Sequence, residues 1–373
     1  MITVYPELDL AALRANGAAL SESVLAGRDY ELTSSGRAAI ARALTAFGID
    51  ANDEVLVPAY CCLAMTAPIQ ARGARPVFYQ LREDLSFDVQ HLQAHLTSRT
   101  RAVIAVHYFG AASDLDALRL WCDSHQLILL EDCAHAFYTQ IDSRLVGSVG
   151  HAGIASIMKF LPSYDGGALW FNAAPRRPLV QLPPRSSSLR EYWSLLERSR
   201  LPGASCMRLV SRVRAHAMAG ASSAEPPKST MASATDGGLE FDPASQQLAA
   251  SASAAWLLRR DSARRIKNQR CEHFEQLARA IRTMPGVRVF WSELPAGAVP
   301  YVLPCLFDRG DIAFASLRAS GIQVFRWEFT EQHGCETTRR YARSLLQLPV
   351  HQALGHSQLL KLSNAIRAAA QAA

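Results

Sequence analysis

The sequence predicts an α/β protein: a mainly parallel, mixed sheet flanked by helices, followed by a smaller C-terminal α/β unit. Three observations predict it. Between residues 30 and 172, amphipathic stretches alternate with short runs rich in Val, Ile and Leu, the pattern of strands joined by crossover helices. A second, shorter alternation follows residue 246. At 373 residues the chain is long for one core, so two packed units are expected.

Residues 1–30 form an N-terminal arm without a clear period. Residues 38–47 place Ile40, Leu44 and Phe47 on one helical face. A strand over 54–58, a small-residue helix over 62–71 and a strand over 76–79 come next. They are followed by a helix over 89–96, a strand over 101–107, a helix over 115–125 and a strand over 127–132. Strands over 154–158 and 168–171 complete this large domain, which is expected to extend over residues 31–245. Its later part, 173–240, departs from the pattern. Pro175, Pro178, Pro183 and Pro184 open it, 189–198 reads as helix, and 217–238 is an Ala/Ser/Pro/Gly-rich stretch expected to be a flexible loop. The small domain, 246–373, takes a helix running from about 245 to 281, strands over 287–291, 301–307 and 323–325, and a closing helix from 358.

Composition excludes several classes. Apolar residues make up 49% and charged residues 19%, the balance of a globular chain rather than a disordered one. No apolar run is long enough for a bilayer, and the N-terminus has neither a basic start nor an apolar signal core. A cytoplasmic protein with no membrane partner is expected. The eight cysteines include no CxxC pair and no zinc-ligand spacing with histidine, so reduced thiols and no metal site are expected. The net charge of +6 is spread along the chain with no nucleic-acid motif. An anionic small-molecule substrate accounts for it as well as nucleic acid does, and nucleic acid is set aside.

Lysine usage is more informative. Of 39 Lys plus Arg, only Lys159, Lys228, Lys267 and Lys361 are lysines. Lys159 alone has apolar neighbours, in Ile-Ala-Ser-Ile-Met-Lys-Phe-Leu-Pro, where an ammonium is costly. Arginine cannot supply a nucleophilic amine at neutral pH, whereas a desolvated lysine can. A lysine whose head reaches water from a strand end is the plain alternative.

Other short motifs are weaker singly. Ser34-Ser35-Gly36-Arg37-Ala38 precedes the first helix, where backbone N–H groups and the helix dipole suit a phosphate or merely a cap. Glu131-Asp132 ends an apolar strand, the place where ligands gather in an open parallel sheet. An aspartate there either pairs with a protonated pyridine nitrogen or caps a turn. His107 also follows a strand, and Asp165-Gly166-Gly167 lets backbone approach closely.

Together these residues resemble the DegT/DnrJ/EryC1/StrS-type aminotransferases, pyridoxal-phosphate (PLP) enzymes of fold type I. The resemblance rests on Ser35-Gly36-Arg37-Ala38, Asp53-Glu54-Val55, Pro76-Val77-Phe78, Val106-His107-Tyr108-Phe109-Gly110, Glu131-Asp132-Cys133-Ala134-His135-Ala136, Val146-Gly147-Ser148 and Lys159 with Asp165-Gly166-Gly167. It implies a Schiff base at Lys159 and a pyridine-nitrogen partner at Asp132. Phosphate contacts are implied from Gly36, Arg37 and Ser156, and a contact to the ring hydroxyl from His135. Tyr60 is the nearest candidate for the aromatic on the ring, although Cys62 stands almost at that place. Arg37 replaces the usual threonine, and residues 173–240 lack the family's asparagine-bearing segment from the partner subunit. The resemblance further implies a homodimer that moves an amino group, from glutamate, to a keto group of a nucleotide-linked sugar or related intermediate. Dehydration, decarboxylation or condensation on the same cofactor is the alternative chemistry, and a non-catalytic dimer is a third reading.

Overall fold

The computed structural model describes residues 1–14, 20–197, 199–201, 204, 241–327 and 335–372. The stretch 217–238, read above as a loop, lies outside the described residues.

Strands β1 (Tyr30–Thr33), β2 (Glu54–Pro58), β3 (Arg75–Tyr79), β4 (Thr100–Val106) and β5 (Ile128–Asp132) precede a short hairpin, β6 (Gln140–Ile141) and β7 (Arg144–Leu145). Strands β8 (Ala152–Ser156) and β9 (Gly167–Phe171) follow. Apart from the hairpin they build one seven-stranded sheet in the order β1-β9-β8-β5-β4-β2-β3. Neighbours from β8 to β3 pair in parallel, while β9 runs antiparallel to both β8 and β1. Helices α1 (Leu10–Arg14), α2 (Gly36–Ala46), α3 (Leu63–Ala71), α4 (Val89–Ala94) and α5 (Asp116–Ser124) accompany them. β2, β5 and β8 are buried at every position, as expected of strands covered on both faces. The carboxyl ends of β5 and β8 and the start of α2 lie on one edge, where such sheets bind ligands.

Helix α6 (Leu189–Glu197) lies within the atypical stretch. The expected single helix over 245–281 is instead two, α7 (Ala252–Arg260) and α8 (Ala263–Ile281). The break is chemical: Ser262 Oγ accepts from Arg265 N at 3.3 Å and starts a new helix, while Asp261 Oδ1 accepts from Ser262 N at 2.7 Å. Then come β10 (Val287–Val289), β11 (Val302–Phe307), α9 (Gly310–Ala319), α10 (Glu336–Ser344), β12 (Leu345–Pro349) and α11 (His356–Ala372). β10, β11 and β12 form an antiparallel sheet. The expected strand over 323–325 is only an isolated bridge, Phe325 to Gln347. That chain segment is occupied by the N-terminal arm: Ile2 bridges Ile322, and Gln323 Oε1 accepts from Val4 N at 2.9 Å. Among the described residues, no helix is long and apolar enough to cross a membrane.

Candidate active site

The site begins at α2. Ser35 has an extended backbone and its Oγ accepts from Ala38 N at 3.2 Å, so it caps the helix. The first turn then presents N–H groups at the positive end of the helix dipole, a suitable seat for an anion. A Cβ on Gly36 would meet the Ser156 Cβ at 3.7 Å, so the end of β8 abuts the start of α2. Gly167 explains how they come so close. A Cβ there would lie 2.3 Å from the Ser35 carbonyl carbon and 2.6 Å from Gly36 N. The Asp165-Gly166-Gly167 motif thus lets backbone pack against the α2 entry rather than against a ligand directly.

Past Ser156 the chain leaves the sheet in a single 3-10 turn, Ile157–Lys159. This ends β8 two residues before the expected strand end and leaves Lys159 just past the strand's carboxyl end. Lys159 is only 6% exposed, and Asp132, at the end of β5, only 9%. Burial lowers the pKa of the Lys159 ammonium, opposed by the neighbouring Cys62 thiol and Asp132 carboxylate. Burial likewise raises that of Asp132, opposed by the Ala134 N–H at 2.9 Å from Oδ1, by Lys159 and by His107. Neither charge is fully compensated by water, so a cation beside Asp132 would be favoured there. The Tyr301 ring lies against the amine, with Nζ 5.2 Å from its centre.

Beneath Asp132, the Glu131 carboxylate is a latch. Its Oε2 accepts from Gly147 N at 2.8 Å and from His107 Nε2 at 3.0 Å, and its Oε1 accepts from Val149 N at 2.6 Å and from Gly150 N. His107 Nδ1 accepts from Ser113 N at 3.0 Å, which places the ring proton on Nε2. These hydrogen bonds hold the Glu131 pKa below its ordinary value although burial raises it. His107, Glu131 and Cys133 lie close enough to hold a metal ion. The lone pairs an ion needs on the first two are, however, engaged by N–H donors.

A cleft of about 1000 Å³ joins the pieces. Gly36, Arg37, Asp132, Ser156 and Lys159 all line it. Two candidates do not. Tyr60 is fully buried among Tyr108, Phe109, Trp327 and Tyr341, its ring centre 4.9 Å from that of Trp327. Cys62, the N-cap position of α3, lines the cleft in its place. His135 is also packed away, its ring 4.6 Å from Tyr301 and its Nδ1 accepting from Phe109 N at 3.4 Å. The far wall is formed by residues that sequence reasoning missed: Tyr5 and Glu7 of the arm, and Arg318, Gln323 and Phe325 near the small sheet. Their role depends on tertiary pairing of chain ends and carries no local signal.

Known proteins resemble this chain in sequence over its first half and in fold throughout. Residues 27–175 match the sequence model of the DegT/DnrJ/EryC1/StrS aminotransferase family. The matched segment is less than half of the chain. It is 37% identical over 143 residues to a GDP-perosamine synthase of Vibrio cholerae, covering 38% of this chain and 39% of that one. An L-glutamine:2-deoxy-scyllo-inosose aminotransferase of Streptoalloteichus tenebrarius is 39% identical over 143 residues, 38% of this chain and 34% of the relative. The matched segments thus span little more than a third of these curated relatives. Solved structures extend the likeness across the chain. The aminotransferase TlmJ of Streptoalloteichus hindustanus superposes with TM-score 0.68 at 25% identity, covering 100% of this chain and 99% of that one. The pseudoaminic-acid pathway aminotransferase PseC of Helicobacter pylori shares the fold, with TM-score 0.65 at 16% identity over 98% of both chains. The fold is therefore type I, as the sequence predicts.

Proposed function

We propose that this protein is a PLP-dependent aminotransferase that moves an amino group onto the keto group of a sugar or related biosynthetic intermediate. The observation that carries the reading is the convergence of Lys159, Asp132 and the α2 N-terminus in one cleft. Lys159 is the one lysine among the residues lining that cleft. The residues fit PLP: a desolvated amine for its aldehyde, a buried carboxylate for its ring nitrogen, and a helix start for its phosphate.

Once bound, the cofactor supplies an electron sink that stabilises negative charge on the substrate carbon. The chain supplies the rest. Asp132 keeps the ring nitrogen protonated, because a buried carboxylate favours a cation beside it. Lys159 Nζ, with its pKa lowered by burial, releases and accepts a proton at the substrate carbon. The first turn of α2, with Ser156 beside Gly36, anchors the phosphate, and Arg37 adds positive charge. Cys62 would offer a small side chain on the cleft wall.

The amino donor of this proposal is glutamate. The relative from Streptoalloteichus is named for L-glutamine, so both donors are to be tried. Cytoplasmic location and a homodimer belong to the same proposal, as do the arm 1–30, large domain 31–245 and small domain 246–373. One feature supports the dimer. Leu189, Tyr192, Trp193 and Leu196 on α6 are 89%, 45%, 43% and 38% exposed, at spacings that form one apolar stripe. On the same helix Ser194 and Leu195 line the cleft, so a partner on that stripe would sit beside it.

The test loads the protein with PLP and mixes it with L-glutamate or L-glutamine in single turnover. One equivalent of the corresponding 2-oxo acid per bound cofactor is expected. A protein that binds PLP but releases no 2-oxo acid from either donor, nor from a panel of other amino acids, refutes amino transfer.

A further inference from the structure

The backbone that carries Lys159 is held from behind by a buried cation. Arg270 lies on the buried face of α8, in line with Ile266, Phe274 and Leu277, and is fully inaccessible. Among the described residues no carboxylate pairs with it. Its Nε donates to Gln352 Oε1 at 2.9 Å, and its Nη1 to the carbonyls of Pro300 and Tyr301 at 3.1 and 3.0 Å. Its Nη2 donates to the Lys159 carbonyl at 2.9 Å. The guanidinium also lies over the Phe160 ring, 4.5 Å from its centre. Gln352, also buried, donates from Nε2 to the Phe160 carbonyl at 2.7 Å.

Stability alone does not account for such a group. A buried guanidinium without an anion loses hydration that neutral carbonyls replace only in part, and apolar residues of similar volume often do as well or better. Burial brings its pKa down to about 9, still above neutral pH, so the charge is present. What the group gains is geometry. The 3-10 turn Ile157–Lys159 does not continue as a helix, so the carbonyls of residues 159 and 160 have no helical partner of their own. Arg270 and Gln352 satisfy these two. The same fork fixes the backbone of Tyr301, whose ring lies against Lys159 Nζ. One side chain therefore sets both the origin of the lysine and the wall beside its amine. A planar fork with fixed donor directions can do this; an ammonium cannot.

We infer that Arg270 and Gln352 are positioning residues that set the reach and the desolvation of Lys159 Nζ in the cleft. The inference rests on the reading of Lys159 as the cofactor lysine.

Two variants test it. Gln352→Met keeps the volume and removes both hydrogen bonds of the amide; Arg270→Lys keeps the charge and loses the fork. The first readout needs no cofactor: the pH midpoint of amine labelling at Lys159, followed on its peptide by mass spectrometry. The second is the PLP dissociation constant. Both variants are expected to fold cooperatively, with the labelling midpoint raised by about one pH unit as the amine gains water. PLP affinity should fall by about tenfold, on the scale of one charge-assisted hydrogen bond. Folded variants with the midpoint and the PLP affinity of the parent protein overturn the inference. Should Arg270→Lys not fold, Gln352→Met decides alone; should neither fold, the pair serves the fold and the inference falls. A parent protein that takes no PLP at Lys159 would sink the functional reading instead, while the labelling midpoint still decides the positioning role.

Discussion

Replacing Gly167 by alanine tests how closely the cofactor seat is built. An alanine Cβ would stand 2.3 Å from the Ser35 carbonyl carbon, 2.4 Å from its oxygen and 2.6 Å from Gly36 N, where ordinary contact begins at 3.4 Å. All three atoms are backbone, so no side chain can rotate away. Ser35 and Gly36 must retreat by about 1 Å, and overpacking of this kind costs about 1–3 kcal/mol of stability. The retreat also moves the first turn of α2 relative to Ser156 and Lys159. Weakening the charge-assisted hydrogen bonds that those N–H groups offer a phosphate costs about 1.5–3 kcal/mol, so the PLP dissociation constant should rise by about one to two orders of magnitude. Absorbance titration with PLP, run beside a thermal melt, gives both numbers. A variant that melts a few degrees lower yet binds PLP as the parent does refutes the link between this glycine and the phosphate seat.

Three further outcomes are expected. Asp132→Asn should fold and bind PLP but lose about 100-fold or more in turnover, because a neutral amide does not favour the ring cation; near-parental turnover in a steady-state assay counts against the role. Glu131→Gln should lose about 2–4 kcal/mol in urea denaturation, since an NH2 group replaces an acceptor facing N–H donors. The Glu131 carboxyl has its pKa lowered by folding, so its contribution is fully present above its unfolded pKa and is lost as pH falls through the lower, folded value. The variant's stability should accordingly depend less on pH over that acidic range than the parent's. Trp193→Glu with Leu196→Glu should turn a dimer into a monomer by light scattering; a double variant that stays dimeric moves the interface elsewhere.

Much of the large domain was legible because its elements carry local signals. The apolar run Leu127-Ile128-Leu129-Leu130 reads as a covered strand, and Asp132 at its end falls where ligands gather. Ser35 before Gly36 reads as a cap and is one. Lys159 stood out by chemistry, as one lysine in apolar surroundings in a chain that otherwise prefers arginine. What the sequence hid depends on tertiary contact. Tyr60 and Cys62 are two residues apart on the entry to α3, and only the packing of Tyr60 against Trp327 and Tyr341 decides which of them meets the cleft. His135 follows Asp132 closely, yet the rings of Phe109 and Tyr301 enclose it. The arm lines the cleft because Ile2 and Val4 pair with residues more than 300 positions away. Arg270 looked like any arginine on a polar helix, and nothing local shows that its carbonyl partners include that of Lys159.

The central claim is that Lys159 bonds covalently to PLP. The direct measurement is reduction of the PLP-loaded protein with borohydride, followed by digestion and peptide mass spectrometry. The account predicts one reduced pyridoxyl phosphate per chain, on the peptide containing Lys159, and none after Lys159→Ala. Label on Lys267 or Lys361 instead, or equal labelling in the alanine variant, would contradict it.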